Sequence, residues 1–126
     1  MQAELSDFQG VTVIPQSEGN SDTDHGPSRI WGVSGAVCGA RNVSMAIGRQ
    51  APHTEGTLHS HDCETCIFIV EGEVEILWRI PGGIIKYSFA HAGDFIFIPA
   101  GVEHAPINRS SRVMIYIVAR STPIQN

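Results

Sequence analysis

Basic side chains are scarce in this sequence and do not gather into a patch. It has 8 Lys and Arg against 13 Asp and Glu, which gives a formal net charge of −5 and a pI near 5.6. Proteins that bind nucleic acids or anionic membranes concentrate positive charge on one face to neutralise phosphates. The composition therefore argues against nucleic acid and membrane as partners.

Long apolar segments are lacking as well. The longest apolar runs, residues 67–70 and 95–100, are far shorter than the roughly 20 residues that span a bilayer as a helix. The first ten residues do not show the basic segment followed by an apolar one that marks a secretory signal. We therefore expect a cytoplasmic protein.

Cysteine is rare, and its number is odd. Three cysteines give no indication of a disulfide framework. Cys63 and Cys66 form a C-x2-C pair, but a structural zinc site needs a second pair or histidines at a suitable distance, and none follows. The pair by itself therefore does not predict a zinc site.

The sequence is instead rich in short apolar runs separated by Gly, Pro or Asn, and it shows no helical stripe of useful length. About nine short strands of this kind predict an all-β sandwich or closed barrel. With 126 residues and 42% hydrophobic content, the chain suits a single domain over residues 1–126. Residues 17–28 are rich in Gly, Ser and Asp, so the N-terminal arm (1–28) is expected to be partly loop, with His25 as a solvated loop residue.

The clearest strand is residues 73–80, where apolar and mostly polar side chains alternate. A Pro-Gly-Gly turn then leads into a partner strand at 84–89, and further strands are predicted at 95–99 and 112–119. Earlier strands are expected near residues 29–35, 43–48 and 56–61. The side chains predicted to fill the interior are Ile76, Trp78, Phe97, Met114 and Tyr116.

Two histidines one residue apart, His59 and His61, are candidates for metal binding. On a strand, side chains at i and i+2 leave the same face, about 6.6 Å apart. Two imidazoles placed in this way can converge on one ion. For an H-x-H pair alone, however, exposed or core histidines are the simpler interpretation.

A second cluster changes that interpretation. Residues 93–108 follow the pattern G-x5-P-x-G-x2-H-x3-N, which is matched at every position by Gly93, Pro99, Gly101, His104 and Asn108. Together with the H-x-H pair and Gly72, the sequence resembles the cupin superfamily, with a first motif at about 56–72 and a second at 93–108. It departs from the first motif at Gly56, which lies three residues before His59 where the family pattern has six.

The resemblance implies a cupin-type double-stranded β-helix, which is a jelly-roll barrel. It also implies that His59, His61 and His104 hold a divalent transition metal at the mouth of the barrel. Fe(II) is favoured, with Ni, Mn, Cu or Zn possible. Asn108 is expected to stabilise a turn and not to contact substrate.

The fourth ligand is where the sequence differs from the family pattern. Thr65 occupies the position of the usual glutamate, and Glu64 lies one residue early, which on a regular strand turns it to the opposite face. Three completions are open. Water could complete a three-histidine site, a local bulge could bring Glu64 inward, or Cys63 could contribute a thiolate.

The function implied by the resemblance is a metal-dependent enzyme that acts on a small organic molecule, most concretely in an oxygen-dependent, dioxygenase-type reaction. A non-redox cupin enzyme (isomerase, dehydratase or lyase) and a non-catalytic small-molecule or metal-binding module are the alternatives. Because cupins commonly pair through their sheets and two predicted strands are apolar on both faces, we expect a homodimer.

Overall fold

The computed structural model describes residues 10–125, which form antiparallel β-strands with little helix. A 3-10 turn at Gln16–Glu18 and a one-turn helix, α1, at Gly35–Cys38 are the helical elements of this range. Within it, no helix is long and apolar enough to cross a membrane. The strands are β1 (Asn20–Asp22), β2 (Ser28–Val33), β3 (Ser44–Gln50), β4 (Thr54–Glu55), β5 (Thr65–Glu71), β6 (Glu73–Arg79), β7 (Lys86–His91), β8 (Phe95–Ile98), β9 (Glu103–Asn108) and β10 (Met114–Arg120).

The strands form two facing sheets. One has six strands in the order β1-β2-β3-β10-β5-β8, and the other has four in the order β4-β9-β6-β7. Several neighbours are distant in sequence, as when β10 pairs with both β3 and β5. This order is the jelly-roll arrangement, and it confirms the all-β fold that the sequence predicts.

The core lies between the two sheets, where each strand contributes every second side chain. In β10, Met114, Tyr116 and Val118 are buried, whereas the residues between them are half-exposed. β3, β5 and β6 contribute further core side chains, and β2 and β7 contribute Trp31 and Ala90. The buried apolar cluster comprises Trp31, Ala46, Ile69, Val74, Ile76, Ala90, Met114, Tyr116 and Val118.

Of the side chains predicted to fill the interior, Phe97 lies outside it and Trp78 lies at its margin, packed against the core. Phe97 is 57% exposed, because β8 pairs with β5 in a register that turns Ile96 and Ile98 inward. Trp78 is only half-buried, and its indole nitrogen donates a hydrogen bond to Ser88 Oγ. A strand that is apolar at every position does not reveal its inward face from sequence, since both registers bury apolar groups.

Candidate metal centre

The segment that carries His59 and His61 is not a strand, and the prediction of one at residues 56–61 is wrong. β4 ends at Glu55, and the chain then runs irregularly to β5 at Thr65. Within this segment only His59 pairs with another strand, through an isolated bridge to His104 of β9. The His59 amide donates to the His104 carbonyl (3.0 Å), and the His104 amide donates to the His59 carbonyl (2.8 Å). The bridge therefore fixes the two motifs against each other through the backbone of the histidines themselves.

The structure brings the three predicted histidine ligands together. The ring centroids of His59 and His104 are 4.3 Å apart, and those of His59 and His61 are 4.8 Å apart. The centroids of His61 and His104 are separated by 5.6 Å. The two sequence motifs thus meet at one end of the barrel.

Backbone carbonyls orient two of these imidazoles. His59 Nδ1 lies 2.6 Å from the Thr57 carbonyl oxygen, and His104 Nδ1 lies 3.0 Å from the Val102 carbonyl oxygen. Because a carbonyl oxygen can only accept, each Nδ1 carries the proton and each Nε2 keeps its lone pair. A hydrogen bond of this kind on the distal nitrogen is the usual support of a metal-bound histidine.

His61 has a buried nitrogen that nothing in the described part of the chain satisfies. Its Nε2 is shielded from solvent and has no hydrogen-bond partner there. A buried polar atom without a partner is costly, and a metal ion would remove that cost. The site therefore fits a divalent cation on its own chemistry.

Burial keeps these histidines uncharged. It lowers the pKa of His59 to about 4 and that of His61 to about 3, and it lowers the pKa of His104 as well. The neighbouring imidazoles and the Arg120 guanidinium add to the shift of His61. Neutral imidazoles with free lone pairs are the form that binds metal ions near neutral pH.

His25 belongs to this cluster, contrary to the expectation of a solvated loop residue. It is half-buried, and its ring stacks on that of His59 with a centroid distance of 3.8 Å and an interplanar angle of 4°. The candidate ligand atoms of His25, His59 and His61 all lie within 4.8 Å of one another. Among the described residues, these three form the group whose candidate ligand atoms are close enough to share a metal ion. His104 lies next to this group, because its ring packs against that of His59.

The residues expected to supply a fourth ligand lie directly before β5 and at its first position, Thr65. Thr65 is buried and lines the interior, whereas Glu64 is exposed and its amide donates to Ser121 Oγ. Cys63 is a half-buried free thiol. Neither Glu64 nor Cys63 joins the group of converging ligand atoms among residues 10–125. The assignment of His59, His61 and His104 as ligands stays a prediction.

The histidines open onto a cavity between the sheets. It holds about 560 Å³ of empty space, part of which is open to solvent at the mouth. Its walls are mostly aliphatic side chains from β5, β6, β8 and β10, and His25, His59 and His104 lie on its surface. A small, largely apolar molecule next to a metal ion suits such a cavity.

Two buried arginines that were not among the predicted site residues line the same cavity. Arg120 and Arg29 are 6% and 3% exposed and flank the ring of Trp31, with guanidinium carbons 5.3 and 5.1 Å from its centre. Arg29 forms an ion pair with Asp22 (2.8 Å), which also accepts from the Trp31 indole. Burial and the charge of Arg29 lower the pKa of Arg120 to about 10. Arg120 remains a cation near neutral pH.

The strand periodicity offered a signal for Arg120. It shares parity with Met114, Tyr116 and Val118 on β10, so the alternation that buries those residues also turns Arg120 inward. Tyr116 lies beside the arginines, and burial raises the pKa of its phenol to about 12. No aspartate or glutamate of the described residues lines the cavity.

Fold and site together define a metal-binding jelly-roll protein. A sequence model described as "Cupin domain" matches residues 46–120, which is more than half of the chain and includes all three predicted ligands. The chain belongs to the cupin family.

Solved structures agree on the fold. A structure of Bacillus subtilis oxalate decarboxylase, determined to study its Mn(II) centres, superposes with a TM-score of 0.79 at 14% identity over 93% of this chain and 31% of its own. A deletion mutant of the same enzyme superposes with a TM-score of 0.79 at 14% identity, over 93% of this chain and 32% of its own. A third oxalate decarboxylase structure is described as containing an element that modulates proton-coupled electron transfer. It superposes with a TM-score of 0.77 at 15% identity, over 93% of this chain and 32% of its own.

The chain thus spans about a third of the length of these enzymes. At this identity the similarity establishes the fold. No functionally curated protein matches the sequence.

Proposed function

We propose that the protein is a metal-dependent enzyme that acts on a small organic molecule in an oxygen-dependent, dioxygenase-type reaction. The observation that carries the proposal is the clustering of neutral imidazoles at the mouth of an apolar cavity, where the candidate ligand nitrogens of His25, His59 and His61 lie within 4.8 Å of one another. A divalent transition metal bound there, for which Fe(II) is our first choice, would supply positions for dioxygen and substrate side by side.

The side chains around the site have separate tasks in this proposal. The Thr57 and Val102 carbonyls hold His59 and His104 in the tautomer that presents Nε2. The aliphatic walls exclude water and contact the apolar part of the substrate. The Tyr116 phenol, which stays protonated, is available as a hydrogen-bond donor.

The charge of the cavity favours a substrate with an anionic group. Arg29 and Arg120 place two guanidinium groups on its wall, and Arg29 is also ion-paired with Asp22. A divalent metal beside neutral imidazoles adds further positive charge. A carboxylate or enolate would be attracted to the metal and can form paired hydrogen bonds with a guanidinium. Arg120 is the residue proposed to orient it.

The same observation supports a second candidate, which is non-redox lyase action on a small carboxylate. The structural neighbours are oxalate decarboxylases, and the arginines would suit a carboxylate substrate in either reaction. The two candidates differ in whether dioxygen is consumed or carbon dioxide is released without it.

Metal content and turnover of the purified protein test the proposal. We expect about one divalent metal per chain in the wild type, a large loss in His104→Ala, and no change in His91→Ala, because His91 is 66% exposed and lies beside Asp94. A panel of diketones, phenols and small carboxylates is then assayed for oxygen uptake and for carbon dioxide release. Oxygen uptake supports the first candidate, and release without oxygen supports the second.

Other outcomes contradict the proposal. A wild-type protein that takes up no metal would refute it, and stoichiometric metal without turnover of any compound would instead support a binding module. Arg120→Lys keeps the charge but removes the paired donors. We expect this variant to raise KM for carboxylates more than for uncharged compounds, and equal KM values would reject the orienting role of Arg120.

A further inference from the structure

His25 approaches the metal centre from outside both sequence motifs. It lies in the connection between β1 and β2, whereas His59 and His61 follow β4 and His104 lies on β9. Its ring stacks on His59 at 3.8 Å and meets that of His61 edge-on, with a centroid distance of 5.6 Å. Four of the six histidines of the chain therefore gather at one end of the barrel.

Backbone contacts hold the His25 loop against the H-x-H segment. The Thr57 amide donates a hydrogen bond to the His25 carbonyl (3.1 Å). A β-carbon at Gly56 would lie 2.7 Å from that carbonyl oxygen and 2.7 Å from the Pro106 ring. Gly26 has a φ of +108°, and a β-carbon there would lie 3.0 Å from the Gly56 α-carbon. The two glycines thus allow the close approach that brings the imidazole of His25 to the site.

The position that a carboxylate would take is occupied by an uncharged side chain. Thr65 faces the interior, and its hydroxyl is buried without a hydrogen-bond partner in the described part of the chain. Glu64 is exposed. No carboxylate of residues 10–125 belongs to the group of converging ligand atoms, whereas His25 does.

The distances suit a shared ion. Nitrogens bound to one ion at about 2.1 Å each lie at most about 4.2 Å apart. The nitrogens of His25, His59 and His61 are within 4.8 Å of one another. Movements of a few tenths of an ångström per ring would bring all three into that range, and a rotation of the stacked rings of His25 and His59 would aim both lone pairs at one ion.

We propose that His25 is the fourth protein ligand of the metal, so that His25, His59, His61 and His104 form an all-imidazole site. The proposal rests on the metal binding stated under the proposed function. Four neutral imidazoles leave the full dipositive charge on the ion. Such a donor set favours Fe(II), Ni(II), Cu(II) or Zn(II) over Mn(II), for which carboxylate oxygens are the better ligands.

Counting the ligating histidines in the full-length protein tests this directly. Zn(II) is added to metal-free protein labelled with 15N in its histidines, and the imidazole nitrogens are followed by long-range 1H–15N NMR. We expect four of the six histidines to shift in the wild type and three in His25→Ala. The matched control, His91→Ala, should keep four shifted histidines, because His91 is exposed and its ring lies beside Phe89 and Asp94.

Affinity for Zn(II), measured by competition with a chromophoric chelator, provides the second readout. His25→Ala is expected to weaken binding by at least about tenfold, while His91→Ala leaves it unchanged. Gly56→Ala should also weaken Zn(II) binding although it removes no ligand, because its β-carbon would displace His25. Circular dichroism and the melting temperature of the metal-free proteins show whether each variant is folded.

The outcomes separate this inference from the proposed function. Three shifted histidines in the wild type, with unchanged affinity in His25→Ala, would overturn the role of His25 and leave the three-histidine enzyme intact. No shift of any histidine in the wild type would overturn both. Four shifted histidines with the loss of one in His25→Ala would establish the all-imidazole site.

Discussion

At the scale of single residues, the second motif contains a side chain whose task is structural. Asn108 is fully buried at the end of β9, and its amide donates to the carbonyls of Gln50, Ala51 and Arg112. Its Oδ1 accepts from the amide and the hydroxyl of Ser110. Every polar atom of the side chain is thus used to join three backbone segments, and none faces the cavity.

Replacing Asn108 by Ala should therefore lower stability without acting on the metal directly. Several buried backbone groups would lose their partner, which costs roughly 1–3 kcal/mol of unfolding free energy. Urea unfolding of the metal-free protein measures this loss. Asn42→Ala, an exposed asparagine in the loop before β3, is the control and should stay close to wild type. An Asn108→Ala protein as stable as the control would contradict the structural role.

At the scale of elements, a glycine, which has no side chain, allows the close pairing of β3 with β10. Gly48 lies opposite Tyr116, and a β-carbon on it would sit 2.3 Å from the tyrosine ring. The ring thus lies over the glycine, and the phenol reaches the cavity. An alanine at this position would force the ring to move within a packed core.

We expect Gly48→Ala to destabilise the protein by about 1–3 kcal/mol, which is the usual cost of overpacking. Gly32→Ala is the matched control. Gly32 also lies in a strand of the same sheet, but a β-carbon there would meet nothing within 4 Å. Its substitution should change stability by less than about 1 kcal/mol. Thermal unfolding followed by circular dichroism compares the two, and equal effects would refute the overlap with Tyr116.

At the scale of the whole molecule, the outer face of the six-stranded sheet is apolar. Cross-strand pairing places Ile30, Ile47, Ile117, Phe68 and Phe95 in one row from β2 to the edge strand β8. Phe95 is 81% exposed and lies next to the ring of Phe68. The other four side chains of the row are half-buried. An apolar row that ends in an exposed aromatic side chain on an edge strand is a feature of interaction surfaces and of unprotected sheets.

We therefore propose that two copies of the chain pair through this face. The wild type should show the mass of a dimer in light scattering coupled to size exclusion, and Phe95→Glu should shift it toward the monomer. Ile84→Glu is the control, because Ile84 is also exposed but lies in the turn before β7 of the other sheet. A wild type that is monomeric at every concentration would contradict the proposal.

The sequence alone determined the features that depend on local periodicity and fixed spacing. Alternation in residues 73–80 identified a half-buried strand, and five matched positions at 93–108 identified the second motif. The spacing also showed that Thr65 stands where the family has a carboxylate. Such patterns are visible because neighbours in sequence share one strand and its two faces.

Only the tertiary structure decided which distant residues meet. His25 lies far from His59 in sequence, and its loop composition indicated exposure, yet close backbone packing at Gly26 and Gly56 brings it to the candidate metal centre. The inward face of β8 depended on its register with β5, which the doubly apolar sequence did not specify. A long-range contact depends on the geometry of both segments that form it. The spacing of residues describes each segment alone and does not specify which distant segments come together.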